Sequence, residues 1–353
     1  MNAVALPRLR IRSTRRFALV GLAGLLLLTA VAGLVSGAMR LDASEVVGAL
    51  WRWLSGRPAQ GDDMVVLMLR LPRVLMAALV GAALAVSGAT MQGLFRNPLV
   101  EPGLVGVSAG SALGAIGMIV LGGSLFAGMS SLLASFGIAL AAFAGGLVST
   151  LLVYLLGRRR PGMAMLLLAG VAINAIAMAG VGLLTYLASE RQLRDLSFWT
   201  LGSLGGTDWV RLAAVAPLML LPVLLLPRQA RALNALLLGE HEAALLGFDP
   251  ARLRRRLIAL VALASSAAVA MCGVIGFVGL VVPHVLRLLW GPDHRLLLPA
   301  SVLAGATLVI GADMVARVVV APAELPIGVL TALLGGPFFL WLLLRTRIGE
   351  AQA

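Results

Sequence analysis

The chain has 353 residues, of which 60% are hydrophobic and only 12% are charged, and its formal net charge is +13. About a quarter of the residues of soluble proteins are charged, so this composition excludes an ordinary soluble domain and predicts a polytopic membrane protein. Nucleic-acid binding is not indicated, because a protein that binds nucleic acid has its basic residues clustered on one solvent-exposed face. Here the 28 basic residues are all arginine and lie mostly at the ends of apolar runs.

The apolar runs predict an all-α fold with ten membrane-spanning helices, since about 20 apolar residues are needed for each span. The first run is too long for the apolar region of a signal peptide. The predicted spans are 17–39, 72–94, 103–122, 132–156, 163–188, 209–227, 256–275, 277–291, 296–318 and 326–345. Residues 1–353 are therefore expected to form one transmembrane domain.

The distribution of arginine predicts the orientation of these spans. If residues 1–16 are inside the cell, ten spans bring the C-terminus back to the same side. The segments on that side then hold 19 arginines and 6 acids, whereas those on the other side hold 9 of each. Because cytoplasmic segments carry the excess of positive charge, both termini are predicted to be cytoplasmic.

A polar segment at residues 228–256 interrupts the apolar pattern with six arginines and three acids. Within it, Gly239 and Gly247 bracket seven residues, enough for about two helical turns. Gly247 is expected to cap that helix in a left-handed conformation, and Asp249 before Pro250 disfavours simple continuation. We interpret the segment as a short cytoplasmic helix that another protein grips; a solvated loop is the alternative.

The usual signatures of enzymes are missing. A Walker A loop needs a lysine to reach the nucleotide phosphates, and the chain has no lysine. His241 and Glu242 begin like the zinc-protease pattern HExxH, but Leu245 occupies the position of the second histidine. With only His284 and His294 elsewhere, too few ligands remain for a zinc site. We therefore predict no catalytic residues, no metal site and no stably bound cofactor.

An ion-coupled carrier is the alternative from a different functional class. Such carriers need ionisable groups within the membrane, and the mid-span polar candidates are Asn174, Asp313 and Arg317. Asp313 and Arg317 are four residues apart, so they are expected to pair with each other near the outer end of their helix. No chain of buried acids remains to carry coupling ions.

Small residues recur within the spans. Gly106, Gly110 and Gly114 repeat at a spacing of four residues. Between helices in lipid, small residues permit close backbone approach. The glycines are therefore predicted to serve helix packing rather than phosphate binding.

Several long stretches together resemble the permease family of ATP-binding-cassette (ABC) importers for ferric siderophores, haem and cobalamin. They follow in the family order and cover nearly the whole chain beyond Arg70. The stretches are GAALAVSGATMQGLFRNPLVEPGLVGVSAGSALGA, LLLAGVAINA, FWTLGSLGG, LGEHEAALLG, GVIGFVGLVVPHVLRLLWGPDHRLLLPASVLAGA, ADMVAR and ELPIGVLTALLGGPFFLWLLL. The resemblance implies a homodimer of ten-helix subunits in the bacterial inner membrane, with two separate cytoplasmic ATPase subunits and a periplasmic substrate-binding protein.

The same resemblance implies roles for two groups of residues. Contact with the ATPase is expected in the polar segment, where the candidates are Leu238, Gly239, Glu240, Ala243, Leu246 and Gly247. Docking of the binding protein is expected at Arg70, Arg73 and Arg317, which would receive its acidic residues. Insertion of the side chains of Arg70 and Arg73 among lipid headgroups is the alternative for these two positions.

The substrate is expected to arrive near the outer loop that precedes the sixth span. Arg191 and Arg194 there are suited to attract carboxylates, and Phe198 and Trp199 to stack on a planar ring. The form QLRDLSFWTLGSLGG resembles haem permeases, so haem is the favoured transported substrate. Anchoring of the helix at the membrane interface is the alternative role for the two aromatic residues. A siderophore or cobalamin permease remains the alternative within the family.

Overall fold

The computed structural model describes residues 5–37, 39, 41–125, 131–158, 163–321 and 323–345, which form helices and no strands. Residues 1–4 of the predicted cytoplasmic N-terminus and residues 346–353 lie outside the described residues. The α-helices are α1 (Ala5–Val35), α2 (Ala43–Leu54), α3 (Leu71–Phe95), α4 (Val107–Leu125), α5 (Ser131–Gly157), α6 (Met163–Leu187), α7 (Glu190–Leu201), α8 (Trp209–Leu225), α9 (Ala230–Leu238), α10 (Glu240–Leu245), α11 (Pro250–Cys272), α12 (Val278–Trp290), α13 (His294–Val318) and α14 (Ile327–Arg345). The predicted all-α fold is confirmed.

The ten predicted spans each correspond to an apolar helix. Seven stretches are long enough for a full span, namely those built on α1, α3, α5, α6, α8, α11 and α13. Three shorter apolar helices, α4, α12 and α14, account for the other predicted spans. Among the described residues, the apolar helices therefore agree in number and order with the ten predicted spans.

Among the boundaries that differ from the prediction, three have a clear local backbone reason. A π-helical turn, Val65–Arg70, continues directly into α3, so the second spanning helix begins earlier than predicted. A 3-10 turn, Pro102–Val105, and Gly106 with φ 93° delay the start of α4. A second 3-10 turn, Pro227–Gln229, joins α8 to α9 and extends the sixth span toward the polar segment.

Short side chains at the helix starts explain where several helices begin. Asp208 accepts a hydrogen bond from the backbone N–H of Arg211 at 2.7 Å and starts α8. Asp249 accepts from the N–H of Ala251 at 3.0 Å and starts α11. Asp293 plays the same part for α13. Such caps satisfy backbone donors that a helix leaves unpaired at its first turn.

Helix α3 lies at the centre of the bundle and is buried along most of its length. Gly81 faces the backbone of Gly305 in α13, and Gly88 faces the backbone of Gly279 in α12, with no room for a Cβ atom at either glycine. Close backbone approach of this kind is the usual means of helix association in lipid. The contacts make α3, α12 and α13 one tightly packed unit.

The glycine repeat at the start of α4 packs against α5. Gly110 faces Gly145 and Ser149, and Gly114 faces the backbone of Ala141. A side chain at either glycine would overlap these atoms. The predicted packing role of the repeat is confirmed for these two glycines.

Candidate functional site

The polar segment folds into the short helix that the sequence predicted. Helix α10 begins after Gly239, whose φ of 138° and ψ of 157° break the path from α9. Gly247 has φ 86°, as expected for a left-handed cap. The N–H of Gly247 bonds to the carbonyl of Ala244 at 2.9 Å and that of Phe248 to Ala243 at 3.0 Å. This pair of bonds is the Schellman arrangement, which closes the helix end.

Helix α10 and the residues directly before and after it expose three leucine side chains. Leu238, Leu245 and Leu246 are 66%, 76% and 61% exposed. Ala243 is fully buried and holds the helix against the bundle. We call the segment from Leu238 to Gly247 the coupling surface, after the ATPase contact that the sequence predicts for it. Leu245 was not among the predicted contact residues, although it is the most exposed of these three leucines.

Polar contacts hold the coupling surface and the preceding helix, α9, in place. Glu240 accepts a hydrogen bond from Arg254 of α11 at 2.6 Å. Asn234 of α9 donates to Asp293 at 2.8 Å and accepts from the backbone N–H of His294 at 3.0 Å. Arg15 of α1 also pairs with Asp293. The start of α13 is therefore tied to α9 and α1 through what we call the Asn234 clasp.

The clasp favours an ionised carboxylate at Asp293. Burial by itself raises the pKa of this group, but hydrogen bonds from the Arg295 N–H and from Asn234, together with the charge of Arg15, outweigh it. The resulting pKa lies below the usual value for aspartate. The negative charge is thus kept at the start of α13, where a helix N-terminus stabilises it.

On the opposite side of the bundle, Arg73 lies between two acids. Its guanidinium donates to Asp313 at 2.8 Å and to Glu324 at 2.9 Å. Asp313 also pairs with Arg317 at 3.1 Å, which confirms the pairing predicted from their spacing. The hydrogen bond from Arg73 lowers the pKa of Glu324, although partial burial of the carboxylate acts in the opposite direction. Within this cluster Glu324 is the most exposed side chain, at 42%.

Arg70 and Arg317 lie deeper than the rim position expected from the sequence, with exposures of 5% and 6%. Arg70 donates to the carbonyls of Leu34 and Val35 at 2.7 Å. Arg317 donates to the carbonyl of Gly33 at 3.0 Å. These carbonyls belong to the last turn of α1, where a helix leaves acceptors unpaired. The two arginines therefore cap α1 in this conformation, and the docking role of the arginines stays a prediction.

Helix α7 carries the four residues predicted near the substrate entrance, but it does not expose all of them. Arg191, Arg194 and Phe198 are exposed, and Phe198 reaches 67%. Trp199 instead points inward and packs against alanines of α4, α5 and α11. The surface of α7 thus offers two cations and one aromatic ring, and Trp199 anchors the helix beneath them.

A cavity of about 490 Å³ lies between α3, α4, α6, α7 and α11. Glu101 is the one charged side chain among the described residues that line it. Asn174 lines the cavity too and donates to the Gly103 carbonyl at 3.1 Å. The sequence analysis did not single out Glu101; its only signal was an acid within a long stretch of small and apolar residues. Among the described residues, no group of three histidine, cysteine or acidic side chains could hold a metal ion.

These features define a multi-span, all-α membrane protein, with an apolar helical surface at one end and a charged cluster at the other. The sequence profile of the FecCD transport family matches residues 25–345, and the chain belongs to this family.

Individual relatives agree with this assignment. The chain is 49% identical over 282 residues to the hemin transport system permease protein HmuU of Yersinia pestis, covering 80% of this chain and 83% of that protein. It is 42% identical over 347 residues to the vitamin B12 import system permease protein BtuC of Klebsiella pneumoniae subsp. pneumoniae, with 98% of each covered. It also superposes, with a TM-score of 0.80 and 37% identity, on an inward-facing metal-chelate type ABC transporter, covering 92% of this chain and 98% of that one. The resemblance stated from the sequence is confirmed.

Proposed function

We propose that the chain is the transmembrane subunit of an ABC importer that moves haem from the periplasm to the cytoplasm across a bacterial inner membrane. The coupling surface carries the proposal, because a membrane-embedded transporter without lysine needs a separate ATPase and this surface offers it an apolar helical contact. The hemin permease relative supports haem as the substrate, and the vitamin B12 relatives keep cobalamin as the alternative within the family, along with ferric siderophores.

The proposed coupling contact has the form of a short helix laid into a groove of the ATPase subunit. Leu238, Leu245 and Leu246 would enter the groove, with Glu240 and Gly247 at its edges. Movement of α10 would pass to α9 and, through the Asn234 clasp, to the cytoplasmic end of α13. Because α13 is packed backbone to backbone on α3, the pair is expected to move as one body.

Substitution of Gly247 tests this contact, and the chain offers a matched control. Gly247 and Gly56 have φ of 86° and 67°, and neither has an atom within 4 Å of the position of an added Cβ. Leucine at either position therefore carries a similar backbone cost of about 1–2 kcal/mol. Gly247→Leu is expected to abolish ATPase binding and ATP-driven uptake, and Gly56→Leu, on the predicted periplasmic side, to preserve both. Full uptake with Gly247→Leu would exclude the proposed contact.

A binding protein is proposed to dock at the opposite end, with its acidic residues paired to Arg73. Arg70 and Arg317 would position Arg73 by fixing α1 and Asp313. Glu324 occupies one side of the Arg73 guanidinium, and Asp313 pairs with the same group. Glu324→Gln should therefore leave only the first side open for an acidic residue and speed docking at low salt, whereas Arg73→Gln should slow it. Stopped-flow association rates, with thermal stability as the control, distinguish the two variants. Equal rates would contradict docking at Arg73.

The substrate path is proposed to run between two copies of this chain, with α7 near its outer mouth. Arg191 and Arg194 would attract the propionates of haem, and Phe198 would contact its ring. Neutralising both arginines should raise the haem concentration needed for half-maximal uptake more than it changes uptake of cobalamin. An equal change for both substrates would remove these residues from substrate selection.

One reconstitution distinguishes the functional classes. Purified permease in proteoliposomes, supplied with its ATPase subunit, ATP and loaded binding protein, should accumulate haem, and an uncoupler of ion gradients should have no effect. Parallel trials with ferric siderophores and cobalamin determine the substrate. Uptake that needs no ATPase and collapses with the uncoupler would instead identify an ion-coupled carrier.

A further inference from the structure

Helix α2 is too short to span a membrane, yet it is well defined at both ends. The carboxylate of Glu45 accepts from the backbone N–H of Asp42 at 2.8 Å at the start of the helix. At the other end, the hydroxyl of Ser55 donates to the carbonyl of Trp51 at 2.7 Å. The 12 residues between these bonds therefore form an independent element on the predicted periplasmic side, between the first and second spans.

Two faces of α2 are apolar, and only one of them is covered. Val46 and Ala49 are each 1% exposed and pack into the core. Val47, Trp51 and Leu54 lie four and three residues apart, so they form one stripe along the helix. Their exposures are 61%, 66% and 75%. The stripe is thus a continuous apolar surface that faces away from the bundle.

The bundle fixes the direction in which this stripe points. Arg52 donates to both carboxylate oxygens of Asp63, at 2.8 Å and 2.6 Å. Trp53 stacks on Trp209 at the start of α8, with ring centroids 6.3 Å apart. The Trp209 indole N–H in turn donates to the Leu67 carbonyl at 2.8 Å. Helix α2 is therefore clamped across the ends of two spans and cannot rotate without breaking these contacts.

We propose that α2 is an interfacial helix whose stripe of Val47, Trp51 and Leu54 inserts into the headgroup and upper acyl region of the periplasmic leaflet. Continuity with α1 favours lipid as the occupant: α1 ends shortly before α2, contacts it, and exposes the large apolar residues Leu28 and Val31 along its span. Tryptophan is enriched at the level where a bilayer meets water. The stripe carries no charge that would complement an acidic protein surface, and the charged Glu45 lies on a different edge of the helix.

Spin labels measure the depth of the stripe directly. Cys272 is the sole cysteine and is buried, so Cys272→Ala provides a background for single labels at Val47→Cys, Trp51→Cys or Leu54→Cys. Arg57→Cys, in the exposed loop that follows the helix, is the control, because Glu45→Cys would remove the hydrogen bond at the helix start. In phosphatidylcholine and phosphatidylglycerol vesicles, we expect the three stripe labels to be more accessible to oxygen than to a water-soluble nickel chelate, at a depth of about 5–10 Å.

The control label at Arg57→Cys should show the opposite preference. Because the stripe positions are exposed, their labels need no repacking, and three independent sites protect the test against the failure of one variant. Preference of all three stripe labels for the nickel chelate would place the helix in water and overturn the proposal. The measurement uses the permease alone, so its outcome is independent of the proposed transport function.

Discussion

Replacement of Asp313 by asparagine tests the charged cluster most directly. Asp313 is 2% exposed and pairs with Arg73 at 2.8 Å and with Arg317 at 3.1 Å. Asparagine preserves the shape of the side chain and removes its charge. The one acid left in the cluster, Glu324, pairs only with Arg73, so the buried guanidinium of Arg317 would lose its carboxylate partner.

The expected cost follows from the difference between buried and exposed ion pairs. Removing one partner of a buried pair costs about 3–5 kcal/mol, because a charge is left in a medium of low polarity without compensation. Glu324 is 42% exposed, and an exposed pair contributes less than about 1 kcal/mol. Asp313→Asn is therefore expected to destabilise the protein several times more than Glu324→Gln.

Thermal unfolding of the purified protein in lipid nanodiscs, followed by tryptophan fluorescence at a fixed heating rate, provides the assay. The double variant Asp313→Asn with Arg73→Gln should recover part of the lost stability, because one uncompensated cation is removed together with the acid. Equal unfolding temperatures for Asp313→Asn and Glu324→Gln would refute the reasoning. So would a double variant less stable than Asp313→Asn alone.

Three further predictions concern packing and pH. Asn234→Ala leaves buried donors at the start of α13 without acceptors and should cost about 1–3 kcal/mol; unchanged stability would argue against the clasp. Gly88→Ala should cost at least about 1–3 kcal/mol, because its Cβ would overlap a backbone carbonyl of α12. Gly21→Ala, in open space on α1, is the matched control and should be neutral or stabilising. The stabilisation that Glu324 gains from Arg73 should be complete above the unfolded pKa of Glu324, about 4.5, and be lost as pH falls through its lowered folded pKa. The difference in unfolding temperature between wild type and Glu324→Gln should accordingly vanish in acid and persist at neutral pH.

Much of the architecture followed from local sequence properties. The ten spans could be predicted because each needs a long apolar run, and this requirement applies to every span separately. The short helix at the coupling surface could be predicted because Gly239 and Gly247 mark its two ends, where the backbone has positive φ angles that few other residues adopt. The pairing of Asp313 with Arg317 followed from helical periodicity alone.

Other features depended on contacts between distant parts of the chain. The sequence placed Arg70 and Arg317 at the rim, whereas the structure buries both against the end of α1, more than 30 positions away from either in the chain. Trp199 was expected beside Phe198 at the substrate entrance, but its helix turns it inward.

The sequence by itself determined that this protein is an all-α, ten-span member of its family, because apolar length and motif order are properties of single segments. Only the tertiary structure decided which charged side chains pair with one another inside the bundle and which surfaces remain exposed. Burial, capping of α1 and the Asn234 clasp all require residues from separate helices to meet. Helix α2 illustrates the difference, since its sequence has two apolar faces and only packing selects the one that stays exposed.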